Sequence, residues 1–463
     1  MKKAQLVFIP WPEIGHLVSE VEAAKLLLTH HQQLSITVLI LNHSSVNPKV
    51  HNYIESQQAS LSTISNRLRI IDLPKGETDF SFVERQKPHV KEAVLKITQS
   101  ESNIESPQLA GFVVDMLCTP IIDVANEFGV PSYIFFPSSA ASLGLLHYVQ
   151  KIHDEEKFDP NEFKDSDATL PVPSLVNPFP AKVMPFAILS REFPFLLNNA
   201  RRFRETKGIM VNTFLELESH AIESFKMLPV YPVGPILHLG SDGTNAHQEI
   251  MQWLDDQPPS SVVFLCFGSM GSFGEDQVKE IACALEHSGH RFLWSLRRSP
   301  CPGILASTCD YEDPQEVLPE GFLDRMAGVG KVTGWSPQAA VLAHPAIGGF
   351  VSHCGWNSVL ESIWFGVPIA AWPMYGEQQF NAFEMVMELG LAVEIKMDYR
   401  NDSGIIVNCD EIERGIRGLM EHDSEKRKKV KEMSEKSRMA LMDGGSSYFY
   451  LDGLIKEVID NLA

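Results

Sequence analysis

Short apolar runs, each followed by a stretch with helical periodicity, occur in two series along this chain, and that rhythm restricts the fold more than any other feature. The first series is LVFI (6–9), ITVLI (36–40), LRIIDL (68–73), GFVVD (111–115), SYIFF (132–136) and GIMVN (208–212). The second is VVFLCF (262–267), RFLWSL (291–296), KVT (331–333), GGFVS (348–352), VPIAAW (367–372) and AVEI (392–395). Runs that stay apolar instead of alternating with polar residues mark strands of parallel sheets covered by helices on both faces. An α/β chain with two parallel sheets is therefore expected, and 463 residues are more than one core comfortably supports. Between the series, YPVGPILHLGSDGTNAHQ (231–248) reads as a linker. Two polar stretches, 153–174 and 297–315, read as mobile surface loops, and KRKKVKEMSEKS (426–437) as a solvated helix face.

Charge narrows the function. The formal net charge of −20 opposes a polyanion such as DNA or RNA, which needs a basic stripe for counterion release. A bound anion would need a local site of backbone N–H groups, Ser, Asn and His. The start, MKKAQLVFIPWPEIGH, reads as a first strand: Pro10 and Pro12 interrupt the apolar run, and no small-residue cleavage site follows. No apolar stretch reaches the 18 residues of a membrane span. The seven cysteines (118, 266, 283, 301, 309, 354, 409) are scattered without a C-x-x-C pair, which fits a reducing cytosol.

Strand VVFLCF runs into GSMGSFGED and a helix, a turn in which backbone amides approach a phosphate closely. The glycines at 268, 271 and 274 depart from G-x-G-x-x-G, and the next strand ends in Leu296-Arg297-Arg298 where a ribose-binding carboxylate is required, so a dinucleotide site is excluded. A hydrolase elbow is excluded too, since G-x-S-x-G is lacking. The stretch HCGWNSVLES (353–362) is more telling. His353 ends a buried strand, Gly355 permits a turn, and Asn357 and Ser358 stand in the first turn of a helix whose N-terminus attracts anions. Glu361 follows Asn357 one turn deeper, and its carboxylate suits vicinal ribose hydroxyls. Phosphate and ribose contacts together point to a nucleotide; helix capping alone accounts only for Asn357 and Ser358.

The segment WSPQAAVLAHPAIGGFVSHCGWNSVLESIWFGVPIAAWPMYGEQ (335–378) resembles the 44-residue signature of plant family 1 UDP-glycosyltransferases. FIPWPEIGH, FVVDMLC, KGIMVNTFLELES, YPVGP, WLDDQPPSSVVFLCFGSMG, LPEGFLDR and DGGSS extend the likeness over the whole chain. The resemblance implies a GT-B fold: a Rossmann-like acceptor domain (1–240), a Rossmann-like donor domain (241–445) and a last helix (446–463) packing back on the first. It implies that Trp335 stacks on uracil and the Ser336 backbone reads the base edge. Gln338 and Glu361 would hold the ribose, and Ser269, His353, Asn357 and Ser358, with Gly355 at the turn, the diphosphate. Trp356, Glu377 and Gln378 would hold the sugar. Ser138 and Ser139, which follow strand SYIFF, are placed either to reach the transferred sugar or to cap the strand end. Gln378 in place of His favours glucose, and Trp356 in place of Arg disfavours glucuronate. Ser336 stands where Ala is usual, and Gly376 replaces the usual Ala or Thr.

His16 opens a helix behind strand LVFIP, and Asp115 ends strand GFVVD at the same sheet edge. Glycosyl transfer needs a base for the acceptor hydroxyl, and the family's catalytic pair falls on these two residues. A helix N-terminus is expected to keep His16 neutral, with Asp115 stabilising the ring once charged. The expected reaction is inverting transfer of glucose from UDP-glucose, the co-substrate, with no metal and no other cofactor, by a cytoplasmic monomer. The acceptor is expected to be small and hydrophobic, a flavonoid or other phenolic first and a terpenoid alcohol second, against Gly15, Phe82, His147, Phe186 and Phe195. Two rivals stand beside this: a metal-dependent transferase using Asp165 and Asp167 of a D-x-D, and a nucleotide-sugar-binding protein without transfer.

Overall fold

The structure is a computed structural model and describes residues 3–43, 48–60, 67–77, 79, 81–100, 107–164, 166–240, 245–299 and 308–462. The first series of apolar runs forms one parallel sheet from β1 (Ala4–Ile9), β2 (Leu34–Ile40), β3 (Leu68–Asp72), β4 (Gln108–Asp115), β5 (Ser132–Phe136), β6 (Ile209–Val211) and β7 (Val230–Pro232). Its order is β3-β2-β1-β4-β5-β6-β7. The second series forms β8 (Val262–Cys266), β9 (Arg291–Ser295), β10 (Gly330–Thr333), β11 (Ile347–Ser352), β12 (Ile369–Ala371) and β13 (Ala392–Glu394), in the order β10-β9-β8-β11-β12-β13. Both orders are the doubly wound pattern in which the chain reverses direction between the first and fourth strands, and that reversal opens a crevice at the strands' carboxyl ends.

One strand departs from the sequence reading. Val230–Pro232, of which Tyr231 and Pro232 were assigned to the linker, is the last strand of the first sheet, beside β6. A strand at the sheet's edge tolerates Pro, because one side of its backbone has no neighbour to donate to. The linker is thereby shortened, and residues 241–244 lie outside the described residues.

Seven helices position the site: α1 (Ile14–His30), α2 (Glu275–Ser288), α3 (Gln338–Leu342), α4 (Trp356–Phe365), α5 (Gln378–Phe383), α6 (Cys409–Met420) and α7 (Ser446–Asp460). Helix α1 buries Leu17, Val21, Ala24 and Leu28, spaced to put one face on the sheet, and so fixes where its N-terminus points. Helix α6 opens with a reciprocal pair, Asn408 accepting from the Glu411 amide and Glu411 from the Asn408 amide, a device that stabilises by about 1 kcal/mol. Helix α7 returns to the first sheet: Leu451, Leu454, Ile455 and Val458 share a core with Leu6, Phe8 and Val38. The Tyr133 and Tyr231 hydroxyls donate to its Glu457 at 2.9 and 2.7 Å. Among the described residues, no helix is long and apolar enough to cross a membrane.

Candidate active site

In the first sheet the reversal falls between β1 and β4, which pair directly. The loop after β1 leads into α1, whose first turn carries His16; β4 ends at Asp115. They meet with His16 Nδ1 2.7 Å from Asp115 Oδ2. Asp115 is fully buried, and its other oxygen accepts from the Leu117 amide at 2.8 Å, so the carboxylate is held on both sides. Because a carboxylate only accepts, Nδ1 carries the proton and Nε2 is left as the basic atom.

The charge state of His16 corrects the sequence expectation. Burial favours the neutral ring, but the charge and hydrogen bond of Asp115, with Glu13 and Glu377 adding smaller effects, raise its pKa from 6.5 to about 9. The carboxylate, fixed beside Nδ1, opposes what burial favours. One turn along α1 from His16, fully buried Glu20 is pushed well above its ordinary carboxyl range by burial first and by the charge of Asp115 second.

In the second sheet the reversal falls between β8 and β11. The loop after β8 carries Gly268 and Ser269, and β11 delivers His353. Cys354 takes φ 61°, a left-handed conformation uncommon for a residue with a Cβ. The Cys354 amide donates to Ser352 Oγ at 3.1 Å, and its carbonyl accepts from Asn381 Nδ2 at 3.0 Å, which holds the turn. A Cβ on Gly268 or Gly355 would stand 2.5 or 2.6 Å from His353 Nε2, so both glycines are needed to seat the imidazole. His353 is buried, burial lowers its pKa to about 4, and among the described residues its Nδ1 has no partner. It can therefore serve a diphosphate as a neutral hydrogen-bond donor rather than as a cation.

Helix α4 starts at Trp356, and its first amides have no partner inside the helix. Asn357 donates from Nδ2 to the Gly15 carbonyl at 3.1 Å and accepts from Ser19 Oγ at 3.1 Å, which joins the two helix N-termini across the cleft. Gln338, at the start of α3, donates to Ser358 Oγ at 2.8 Å and to Glu361 Oε2 at 2.7 Å, so these three expected nucleotide contacts form one cluster. Burial raises the Glu361 carboxyl to about 7, with Gln338 opposing.

Trp335 is 39% exposed. The Arg297 guanidinium lies 5.4 Å from its ring centroid, and Asp310 holds both Arg297 (2.9 Å) and the Trp335 amide (3.0 Å). Ser336 is buried, which leaves its backbone for a base edge. The Trp356 indole is 2% exposed and donates to the Asn212 carbonyl at 2.6 Å. Only its backbone amide remains for a sugar.

Glu377 accepts from Ser138 Oγ at 3.0 Å across the cleft, and from Asn381 at 3.3 Å. The Gln378 carbonyl oxygen accepts from the Met374 and Tyr375 amides (2.9 and 3.0 Å), leaving its N–H pair to donate. Gly376 sits at φ 64°, where Ala or Thr would be strained, and its carbonyl accepts from Ala187.

The expected acceptor residues do not form one group. Gly15 is at the cleft beside Asn357. The Phe186 amide donates to Gln379 Oε1 at 3.1 Å. Phe82 is buried against Trp11 (6.2 Å) and His43 (5.4 Å), and Phe195 also packs on Trp11 (6.0 Å). His147 is exposed on the helix Ala140–Glu156. Of the D-x-D, Asp165 lies outside the described residues and Asp167 is exposed in a loop. Sequence reasoning missed Trp11, Glu20, Arg297 and Asn381. Trp11 and Glu20 lay within five residues of His16, where proximity was the available signal.

Two doubly wound domains that meet at their switch points, one with a His–Asp pair and one with an anion-receiving helix N-terminus beside a ribose-type carboxylate, define a nucleotide-dependent group-transfer enzyme of the GT-B type. The family model "UDP-glucoronosyl and UDP-glucosyl transferase" matches residues 238–412, and the chain belongs to that family. It is a UDP-dependent glycosyltransferase. Anthocyanidin 3-O-glucosyltransferase 1 of Manihot esculenta is 70% identical over 451 residues, covering 96% of this chain and all of that one. A putative UDP-glucose flavonoid 3-O-glucosyltransferase of Fragaria ananassa is 56% identical, covering 99% and 100%. Among solved structures, a UGT of Siraitia grosvenorii in complex with UDP is 48% identical with a TM-score of 0.87, covering 99% of this chain and 100% of that one. A Medicago truncatula UGT with UDP-glucose is 41% identical with a TM-score of 0.86, covering 98% of both.

Proposed function

We propose that the protein transfers glucose from UDP-glucose to a hydroxyl of a small hydrophobic acceptor, a flavonoid or related phenolic, and inverts the anomeric centre to give a β-O-glucoside. The observation that carries this reading is the junction of the two switch points, where the His16–Asp115 pair and the N-terminus of α4 are tied together through Asn357 and Gly15. The acceptor O–H gives its proton to His16 Nε2 as its oxygen bonds to the anomeric carbon. The bond from that carbon to UDP breaks on the opposite face. The leaving diphosphate gathers charge where His353, Ser358, Asn357, Ser269 and the first amides of α4 can donate. Asp115 stabilises the imidazolium that results.

Trp335, backed by Arg297, is assigned to the uracil, Gln338 and Glu361 to the ribose, and Glu377, Gln378, Ser138 and the Trp356 amide to the sugar. The Medicago complex with UDP-glucose and the glucosyltransferases of Manihot and Fragaria support glucose as the donor sugar, and the latter two a phenolic acceptor. Trp11, five residues before His16, with Phe195 and Phe82 packed on it, is assigned to the apolar wall for the acceptor. The division at residue 240 with the return of 446–463 belongs to the same reading. So do action as a monomer, since one chain completes the site, and a cytoplasmic location, which the free thiols of the six described cysteines support. A helix N-terminus in the role of a cation supports chemistry without a metal at the reaction centre.

The test is product mass after incubation with phenolic and terpenoid acceptors and equimolar UDP-glucose, UDP-galactose, UDP-xylose and UDP-glucuronate, with EDTA, beside His16→Ala. A hexose gain that follows UDP-glucose and disappears in the variant is expected. Dependence on added metal, or a product that survives in His16→Ala, would refute the mechanism; donor binding without any product would favour the binding-protein rival.

A further inference from the structure

Away from the cleft, α2 and α6 lie side by side, and soft ligands converge where they touch. Cys283 and His287 are one turn apart near the end of α2, and Cys409 opens α6. His287 Nδ1 lies 3.8 Å from Cys283 Sγ and 3.5 Å from Cys409 Sγ, and the three ligand atoms are all within 4.8 Å of one another. Glu413, one turn along α6 from Cys409, places Oε2 3.8 Å from the same Nδ1 while its Oε1 holds Arg417 at 2.6 Å. Tetrahedral zinc with bonds of about 2.3 Å to sulfur and about 2.0 Å to nitrogen sets its sulfur and nitrogen ligands roughly 3.5 Å apart. The separations found here match those edges, so little movement is needed to enclose an ion. Cys409 is buried, Cys283 half-buried and His287 57% exposed, which leaves an entry path on the imidazole side.

We propose that Cys283, His287 and Cys409 form a binding site for a thiophilic divalent cation of the zinc class, with Glu413 at the fourth corner. Binding converts two thiols to thiolates, so two protons pass to solvent for each ion taken up while the imidazole coordinates in its neutral form. The ion bridges two helices that are already joined by the Cys409 amide donating to Glu280 and by Arg417 donating to the His287 carbonyl at 2.8 Å. Helix α2 begins directly after the loop of Gly268 and Ser269, and Cys283 lies about 13 Å along it from Gly274 at a rise of about 1.5 Å per residue. The site is thus a clamp on the helix that carries part of the donor pocket, remote from the reacting atoms.

The experiment uses the full-length, untagged protein, freshly reduced, with free thiols counted first and Co2+ as the probe. One equivalent should produce thiolate-to-cobalt charge transfer in the near ultraviolet and the visible bands of tetrahedral cobalt. Zn2+ should bleach both, with about two protons released per ion in weak buffer. Loss of a ligand should weaken binding by roughly 100-fold or more, since even removing a group that hydrogen-bonds to a metal ligand costs about 10–100-fold. Cys409→Ser, Cys283→Ser and His287→Ala should each show this; the last removes an exposed side chain and does not depend on core packing. Cys309→Ser, altering an exposed thiol elsewhere, should bind as the parent does. Absence of charge transfer at one equivalent, its persistence in Cys409→Ser and His287→Ala, or two thiols already lost to a disulfide in reduced protein would overturn the proposal.

Discussion

Replacing Asp115 by Asn tests how the catalytic pair works. Raising the His16 imidazole from 6.5 to about 9 corresponds to about 3 kcal/mol at 1.36 kcal/mol per tenfold change; burial acts against it, and Asp115 leads the groups that raise it, ahead of Glu13 and Glu377. Asp115 accepts from two donors, His16 Nδ1 and the Leu117 amide, and an amide offers only one oxygen. If that oxygen stays with Leu117, the amide N–H faces Nδ1 and moves the ring proton to Nε2, the atom that must act as base. Two consequences follow for kcat/KM of the donor, measured against pH with a saturating alcohol acceptor that does not itself ionise. In the parent, with the pKa near 9, the rate should climb about tenfold per pH unit up to about pH 9, since roughly 1% of His16 is free base at pH 7. In Asp115→Asn the rising limb should move below pH 6.5, and the plateau should lie roughly 10²–10⁴-fold under the parent's at pH 9.5. A variant whose limb stays near 9, with a rate within tenfold of the parent, would show that this carboxylate neither charges nor orients the base.

Trp335→Ala should raise the donor Kd by roughly 5- to 150-fold, the loss of one stacked base at 1–3 kcal/mol, with kcat little changed; calorimetric titration with UDP separates this from a catalytic defect. Gly268→Ala places a Cβ 2.5 Å from His353 Nε2 at φ 76°, and should cost about 1–3 kcal/mol in denaturant unfolding and weaken UDP binding as the imidazole shifts. Burial and the charge of Asp115 hold the Glu20 carboxyl well above its ordinary value of 4.5 in the folded protein. Its contribution to stability is therefore complete below that value and declines as pH rises toward its folded value. Glu20→Gln should thus raise Tm at pH 8 and leave it nearly unchanged at pH 4; equal shifts at both pH values would mean that Glu20 is charged in the folded protein.

Much of this architecture is legible in the sequence because parallel strands buried on both faces leave unbroken apolar runs. SYIFF (132–136) matches its strand residue for residue, while Val230–Pro232 escaped because a three-residue edge strand with Pro looks like a linker. HCGWNSVLES shows its strand-turn-helix because β11 ends at Ser352 and α4 starts at Trp356. What stayed hidden depends on tertiary neighbours. The charge of His16 is set by Asp115, 99 residues away, and the indole of Trp356 is committed to Asn212, 144 residues away. Arg297 was noted only as evidence against a dinucleotide, and its place behind Trp335 follows from a two-stranded ladder with Cys309 and Asp310. Cys283 and Cys409 come together only through the packing of α2 on α6.

The most direct measurement is the anomeric configuration of the first-formed product, read by proton NMR during reaction of UDP-glucose with a phenolic acceptor and repeated with His16→Ala. A β-glucoside with the large diaxial anomeric coupling, absent in the variant, is the expected result. An α-glucoside, or product formed equally well without His16, would contradict a single displacement driven by the His16–Asp115 pair.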